Sequence, residues 1–121
     1  MTTASSDCEI LLSTFPDAAL TQAVADELVR LGMAACVQLG APVQSTYLWD
    51  GKLEHATEYP LQAKIAQAQR AGAMALIQAR HPYTVPEIIC LPITAGLPAY
   101  LAWINASVTP AAAAAPTRPQ P

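Results

Sequence analysis

Apolar residues recur along this chain at two distinct spacings, and each change of spacing marks a new element. Cys8–Phe15 (CEILLSTF) is a short apolar run, rich in Ile and Leu, of the kind that forms a strand buried on both faces. Pro16 and Asp17 stop it, and Asp17 is placed to cap a helix. From Ala18 the spacing lengthens: Leu20, Val24, Leu28 and Leu31 share one helical face. Gly32 sits where a left-handed C-terminal cap belongs. Ala34–Leu39 (AACVQL) and Val43–Trp49 (VQSTYLW) both read as strand, and Gly40-Ala41-Pro42 between them reads as a bulge or kink in one long strand. Asp50-Gly51 is a hairpin signal. Beyond it Leu53, His55, Thr57, Tyr59, Leu61, Ala63 and Ile65 alternate with Glu54, Glu58, Gln62 and Lys64, a period of two. Pro60 interrupts this run and cannot donate to a ladder, which predicts an edge or a bulge there.

Ala66–Ala79 is expected to be helix, with Gly72 costing it about 1 kcal/mol relative to Ala. Pro82 ends that helix, and His81–Pro86 must run extended. Ile88–Ile93 (IICLPI) is expected to be a second strand of the buried type. A turn at Ala95-Gly96 follows, and Pro98 suits the first turn of a short last helix, Ala99–Ala106, which presents Tyr100, Leu101 and Ile104 to one side with Trp103 nearby. After Val108 the chain becomes Pro and Ala without periodicity, so 109–121 is expected to be a disordered tail, and 1–7 a flexible lead. The domain proper is 8–108. Its order, β-α-β-β-α-β plus a small helix, is that of an α+β ferredoxin-like sandwich: four antiparallel strands with both helices on one face. Strands apolar on both faces then need a cover for the open side, and a second copy of the same sheet is the economical one.

Composition strengthens that expectation. Of 121 residues, 53% are hydrophobic and only 12% charged, more apolar than a small monomer needs. No stretch reaches the roughly 20 uninterrupted apolar residues of a membrane span. A net charge of −3 with scattered Lys and Arg argues against nucleic acid as a partner. The segment 1–7 has neither a basic flank nor an apolar stretch, so no signal peptide is expected. Three cysteines without CxxC spacing read as free thiols of a cytoplasmic protein.

Five segments carry a resemblance: Met33–Leu39 (MAACVQL), Thr46–Leu53 (TYLWDGKL), His81–Glu87 (HPYTVPE), Leu91–Gly96 (LPITAG) and Tyr100–Ala106 (YLAWINA). In order and spacing they resemble the CutA divalent-cation tolerance proteins across about 8–108. The resemblance implies a ferredoxin-like subunit in a tight homotrimer, similar in outline to the PII signalling proteins, with clefts between subunits and no enzymatic activity. It implies copper or another divalent cation as ligand, and no organic cofactor. Mapped onto this chain, the implied cleft residues are Lys64, His81 and Glu87, whereas Ser13 stands where some members carry a first-strand Cys. That departure argues against a thiolate-assisted site, because soft Cu(I) prefers sulfur.

Read residue by residue, His81 is the sharpest candidate metal ligand, with Glu87 as an oxygen donor; His81 capping the helix end and Glu87 pairing with a cation are the competing roles. Lys64 is unusual on a strand and either binds an anionic ligand or neutralises Glu58. Tyr83 either lines a cleft with Ser13 and Glu58 or covers the helix end. Tyr47 and Trp49 read as anchors at a subunit boundary. His55 reads as solvent-facing or interfacial, and Cys36 and Cys90 as buried and inert. No phosphate loop, HExxH or GxSxG pattern is present, and Ser13 with His81 lacks a third orienting group. Three functions follow: metal binding at clefts, sensing of a small anionic metabolite through Lys64, and a purely structural scaffold.

Overall fold

The longest alternating run of the sequence is the longest strand of the fold. In the computed structural model, which describes residues 6–108, the elements are β1 (Cys8–Phe15), α1 (Ala18–Arg30), β2 (Cys36–Leu39), β3 (Val43–Trp49), β4 (Lys52–Ala66), α2 (Arg70–Arg80), β5 (Ile88–Pro92) and α3 (Pro98–Ser107). The expected tail and the first five residues of the expected lead lie outside the described residues. Within the lead, Asp7 is tied down by its carbonyl, which accepts from Gln67 N–H. Strand order is β2-β4-β1-β5, all antiparallel, with β3 pairing the outer half of β4. Taken as one interrupted strand, β2 and β3 complete the mixed α+β, ferredoxin-like layer.

The interruption is a one-residue bulge. Leu39 lies opposite Leu61, and Val43 opposite Glu58, so residues 40–42 face only Tyr59 and Pro60. On its other side β4 runs against β1 without a break, from Cys8↔Ala66 to Phe15↔Tyr59. Gly40 N–H donates to the Pro60 carbonyl at 3.1 Å, so Pro60 directs its polar edge toward the bulge. Its missing N–H therefore falls where the ladder is already broken, and β1 loses nothing. Beyond the bulge β3 and β4 form a two-stranded ribbon closed by Asp50 (φ 52°) and Gly51 (φ 76°), the two left-handed residues of a tight hairpin turn.

Leu11 and Phe15 of β1 and Leu61, Ala63 and Ile65 of β4 pack against Val24, Ala25 and Leu28 of α1 and Ala73 and Ile77 of α2. In α1, Asp17 accepts from Leu20 N–H at 2.7 Å, and Gly32 (φ 73°) closes the far end: Gly32 N–H reaches Val29 O and Met33 N–H reaches Leu28 O. Leu31, expected on the buried face, is half exposed because the chain unwinds there. Ala66 belongs to β4, and α2 begins only at Arg70 after a 3-10 turn over Gln67–Gln69.

The helices α1 and α2 share one face of the sheet, as the pattern predicts, and α3 lies on the other. Cys8, of opposite parity to Leu11, points to the other side, where its thiol approaches Leu101 O of α3 at 3.8 Å. Cys8, Ala66, Ile104 and Val108 are buried there. The rest of that face stays open. Ile89 and Leu91 of β5, opposite Leu12 and Ile10, are each 47% exposed, so β5 is an edge strand, half uncovered, rather than a buried one.

One ionised group is buried on the helix side. Glu9 accepts a two-pronged contact from Arg70, with Nε to Oε1 at 2.8 Å and Nη2 to Oε2. The hydrogen bonds from Arg70 hold the Glu9 carboxyl below the usual range. A depressed carboxyl stabilises the fold above its unfolded pKa, and that stabilisation is lost as pH falls through the folded value. Arg70→Ala is therefore expected to lower the melting temperature at neutral pH, with the difference from wild type shrinking toward pH 3. An undiminished difference at low pH would refute the assignment. At the turn, Gly51→Ala meets no atom but must hold a positive φ, so it should cost about 1 kcal/mol in denaturant unfolding. Gly40→Ala, with Pro60 Cγ at 3.4 Å and no positive φ, should change stability by less than about 0.5 kcal/mol.

Candidate functional site

The segment between α2 and β5 gathers most of the candidate residues. Pro82 forces His81 out of the helix into extended backbone (φ −77°, ψ 136°), although its N–H still reaches Ile77 O. The imidazole turns inward and stacks on Phe15, with centroids 4.5 Å apart and planes 24° apart. Nε2 lies 2.6 Å from Thr14 O, and Nδ1 lies 3.2 Å from Tyr83 N. An amide N–H only donates and a carbonyl only accepts, so Nδ1 is the acceptor and Nε2 carries the proton. The ring thus sits on a strand carbonyl, not on the last carbonyls of its own helix.

Tyr83 continues the chain of contacts. Its phenol donates to Glu58 Oε2 at 3.2 Å, and Ser45 Oγ donates to Glu58 Oε1 at 2.7 Å. Burial and the nearby Glu58 charge push the phenol upward, so it keeps its proton and stays a donor. Glu58 is itself buried and receives these two neutral donors. Ser13, also buried, donates through Oγ to the backbone carbonyl of Glu87 at 2.7 Å, which pins the start of β5 and leaves the Glu87 carboxylate exposed. Ser13 and His81 are each bound to backbone and do not bond each other, so no nucleophile–base pair is assembled.

Other candidates lie elsewhere. Lys64 donates to Gln38 Oε1 at 2.8 Å across the β2–β4 ladder. Six residues of strand, about 20 Å, separate it from Glu58. It therefore does not neutralise Glu58, and within one subunit it does not join the Tyr83–Ser13 cluster. His55 Nδ1 meets Thr46 Oγ1 at 3.2 Å on the exposed ribbon. Tyr47 and Trp49 are exposed on the same ribbon, beside Leu48 (69%) and Leu53 (64%). Cys8 and Cys90 have thiols pushed up by burial, which disfavours the thiolate a metal needs. Among the described residues no group of three or more His, Cys, Asp or Glu stands close enough to hold a metal ion. Sequence reasoning overlooked Ser45. The hairpin register places it opposite Ala56, diagonal to Glu58, so the pairing alone contains that contact.

Comparison with known proteins places this geometry. The family model described as CutA1 divalent ion tolerance protein matches residues 9–107. A divalent-cation tolerance protein CutA from Pectobacterium atrosepticum is 36% identical over 102 residues, covering 84% of this chain and 93% of that protein. The crystal structure of CutA from Xylella fastidiosa superposes with a TM-score of 0.84 at 36% identity, over 86% of this chain and all of that one (100%). A protein from Archaeoglobus fulgidus, described as a periplasmic divalent cation tolerance protein CutA, superposes at 0.81 with 32% identity, over 84% and 99% of the two chains. The resemblance carried by the five sequence segments is thereby confirmed, and so is the fold. This chain belongs to the CutA1 divalent ion tolerance protein family.

Proposed function

We propose that the protein is a homotrimeric, cytoplasmic divalent-cation tolerance protein that binds copper or a similar divalent ion at clefts between subunits. In this reading it is a binding protein, not an enzyme, and His81 and Glu87 supply ligands from each chain. The observation that carries it is the His81 tautomer. A metal-binding imidazole commonly gives its other N–H to a backbone carbonyl, which fixes the ring with one lone pair directed at the ion. Here Nε2–H goes to Thr14 O, and the Nδ1 lone pair is held only by the longer contact to Tyr83 N–H. Glu87 lies six residues on, exposed, and anchored through its carbonyl by Ser13. This nitrogen and oxygen donor set suits Cu(II) or Zn(II), and with Ser13 in place of a thiol it does not suit Cu(I). Two donors leave coordination positions that a neighbouring subunit would complete.

The trimer is supported by the surface a single chain leaves bare. The ribbon carries Tyr47, Leu48, Trp49 and Leu53 exposed, and the open face of the sheet carries Ile89 and Leu91. A two-stranded ribbon is marginal unless it packs on something, and exposed apolar area of this kind marks an interface. The cytoplasmic placement is supported by three unpaired cysteines. Lys64, already bonded to Gln38, lends the metabolite-sensor reading no support.

Light scattering on a size-exclusion column should give the mass of three subunits; one subunit would remove the clefts and the reading with them. Calorimetric titration of Cu²⁺ and Zn²⁺ tests the ligands. Glu87→Gln, on an exposed side chain, should weaken binding at least tenfold, about the least that losing even an outer partner costs a metal site. Equal heats in wild type, Glu87→Gln and His81→Gln would overturn the assignment.

A further inference from the structure

Tyr83 makes two contacts with opposite consequences. Its backbone N–H is bonded to His81 Nδ1, the lone pair a metal would need, and its phenol is bonded to the buried carboxylate of Glu58 on β4. Glu58 is in turn bonded by Ser45 of β3, on the ribbon that carries the exposed Tyr47, Leu48 and Trp49. A chain of three hydrogen bonds therefore runs from the ribbon to the imidazole: Ser45 to Glu58, Glu58 to Tyr83, Tyr83 to His81. The His81 and Tyr83 rings are in contact as well, with centroids 4.8 Å apart and planes tilted by 52°.

Resting on the metal-binding reading above, we infer that Tyr83 is a positioning residue that holds the His81 Nδ1 lone pair in reserve, and that the β3–β4 ribbon sets how firmly it is held. The anchored phenol keeps residue 83 in place, and residue 83 in place keeps its amide on Nδ1. Only the fraction of molecules in which that amide has opened presents a free lone pair. Apparent affinity is the intrinsic affinity scaled by that fraction. Loosening the ribbon end of the chain must then do two things together: expose the residue 83 amide, and tighten capture of a cation at His81. A contact that merely stabilised the loop would do the first and weaken the second. Because the link is mutual, filling the site must also loosen Tyr83 from Glu58.

Tyr83→Phe removes the phenol and retains the amide, and Ser45→Ala loosens Glu58 from the far end without touching the loop. Two quantities are read on the full chain: hydrogen–deuterium exchange of the residue 83 amide without metal, and the dissociation constant for Zn²⁺ by calorimetry. Tyr83→Phe should speed exchange of that amide about tenfold, as expected for losing one hydrogen bond to a charged group. Zn²⁺ binding should tighten by the same factor. Ser45→Ala should move both quantities in the same direction by a smaller, again matching, factor. Faster exchange with unchanged or weaker Zn²⁺ binding overturns the inference and leaves the metal reading intact. So does unchanged exchange in both variants. Zn²⁺ binding that is absent in wild type, or unaffected by His81→Gln, removes the metal reading itself and this inference with it. Should Tyr83→Phe fold poorly, Ser45→Ala alone decides, since its side chain lies outside the loop.

Discussion

The whole arrangement depends on the unbroken register between β1 and β4. Eight consecutive pairs, from Cys8↔Ala66 to Phe15↔Tyr59, fix which side chains of the central strands meet the helices. In a strand the period is two, so a slip of one residue would put Leu11 and Phe15 on one face and Leu61 and Ile65 on the other. Every other element is placed against that pair. β5 and β2 flank it, α1 and α2 cover one face, and α3 closes part of the other. Even the site descends from it, because His81 finds its place by stacking on Phe15 and bonding to Thr14, the last two residues of β1.

The site is built by connections, not by a rigid cavity. Pro82 breaks α2 and turns the imidazole inward, Ser13 ties the start of β5, and Tyr83 bridges loop and ribbon. These contacts are mostly side chain to backbone, so they define position without using up the chemistry of the groups involved. The Glu87 carboxylate remains free in water, and the His81 lone pair rests on one amide. Such an arrangement is fixed in position before anything binds, as the proposed sharing between subunits would require.

Much of the fold was legible in the sequence because short-range physics dictates it. β1, β3, the Asp50-Gly51 turn, the Asp17 cap and the Gly32 stop lie where local pattern puts them, and the 40–42 insert is the bulge its Gly and Pro announced. What periodicity did not contain was the face chosen by α3, the edge position of β5 and the exposure of Leu31, since each depends on which distant element arrives as neighbour. The candidate residues were legible as types and less so as partners. His81, Tyr83, Glu58 and Ser13 fall close together, but Lys64 shares a strand with Glu58 and still stands far from it, a fact of strand length that composition conceals. Ser45 went unseen because a serine in a ribbon attracts no notice until the hairpin is folded and its diagonal neighbour is known.

The match of Pro60 to the 40–42 bulge reaches beyond local geometry. A bulge is a dislocation in a ladder of hydrogen bonds, and in an ordinary strand pair it can wander as pairs exchange one step at a time. An imino nitrogen pins it, because moving the defect would set a partner carbonyl against a residue with nothing to donate. The joint where the ribbon leaves the sheet is thus a fixed elbow and not a sliding one. Its angle, and with it the reach of Glu58 toward Tyr83, is written into two short stretches of sequence twenty residues apart.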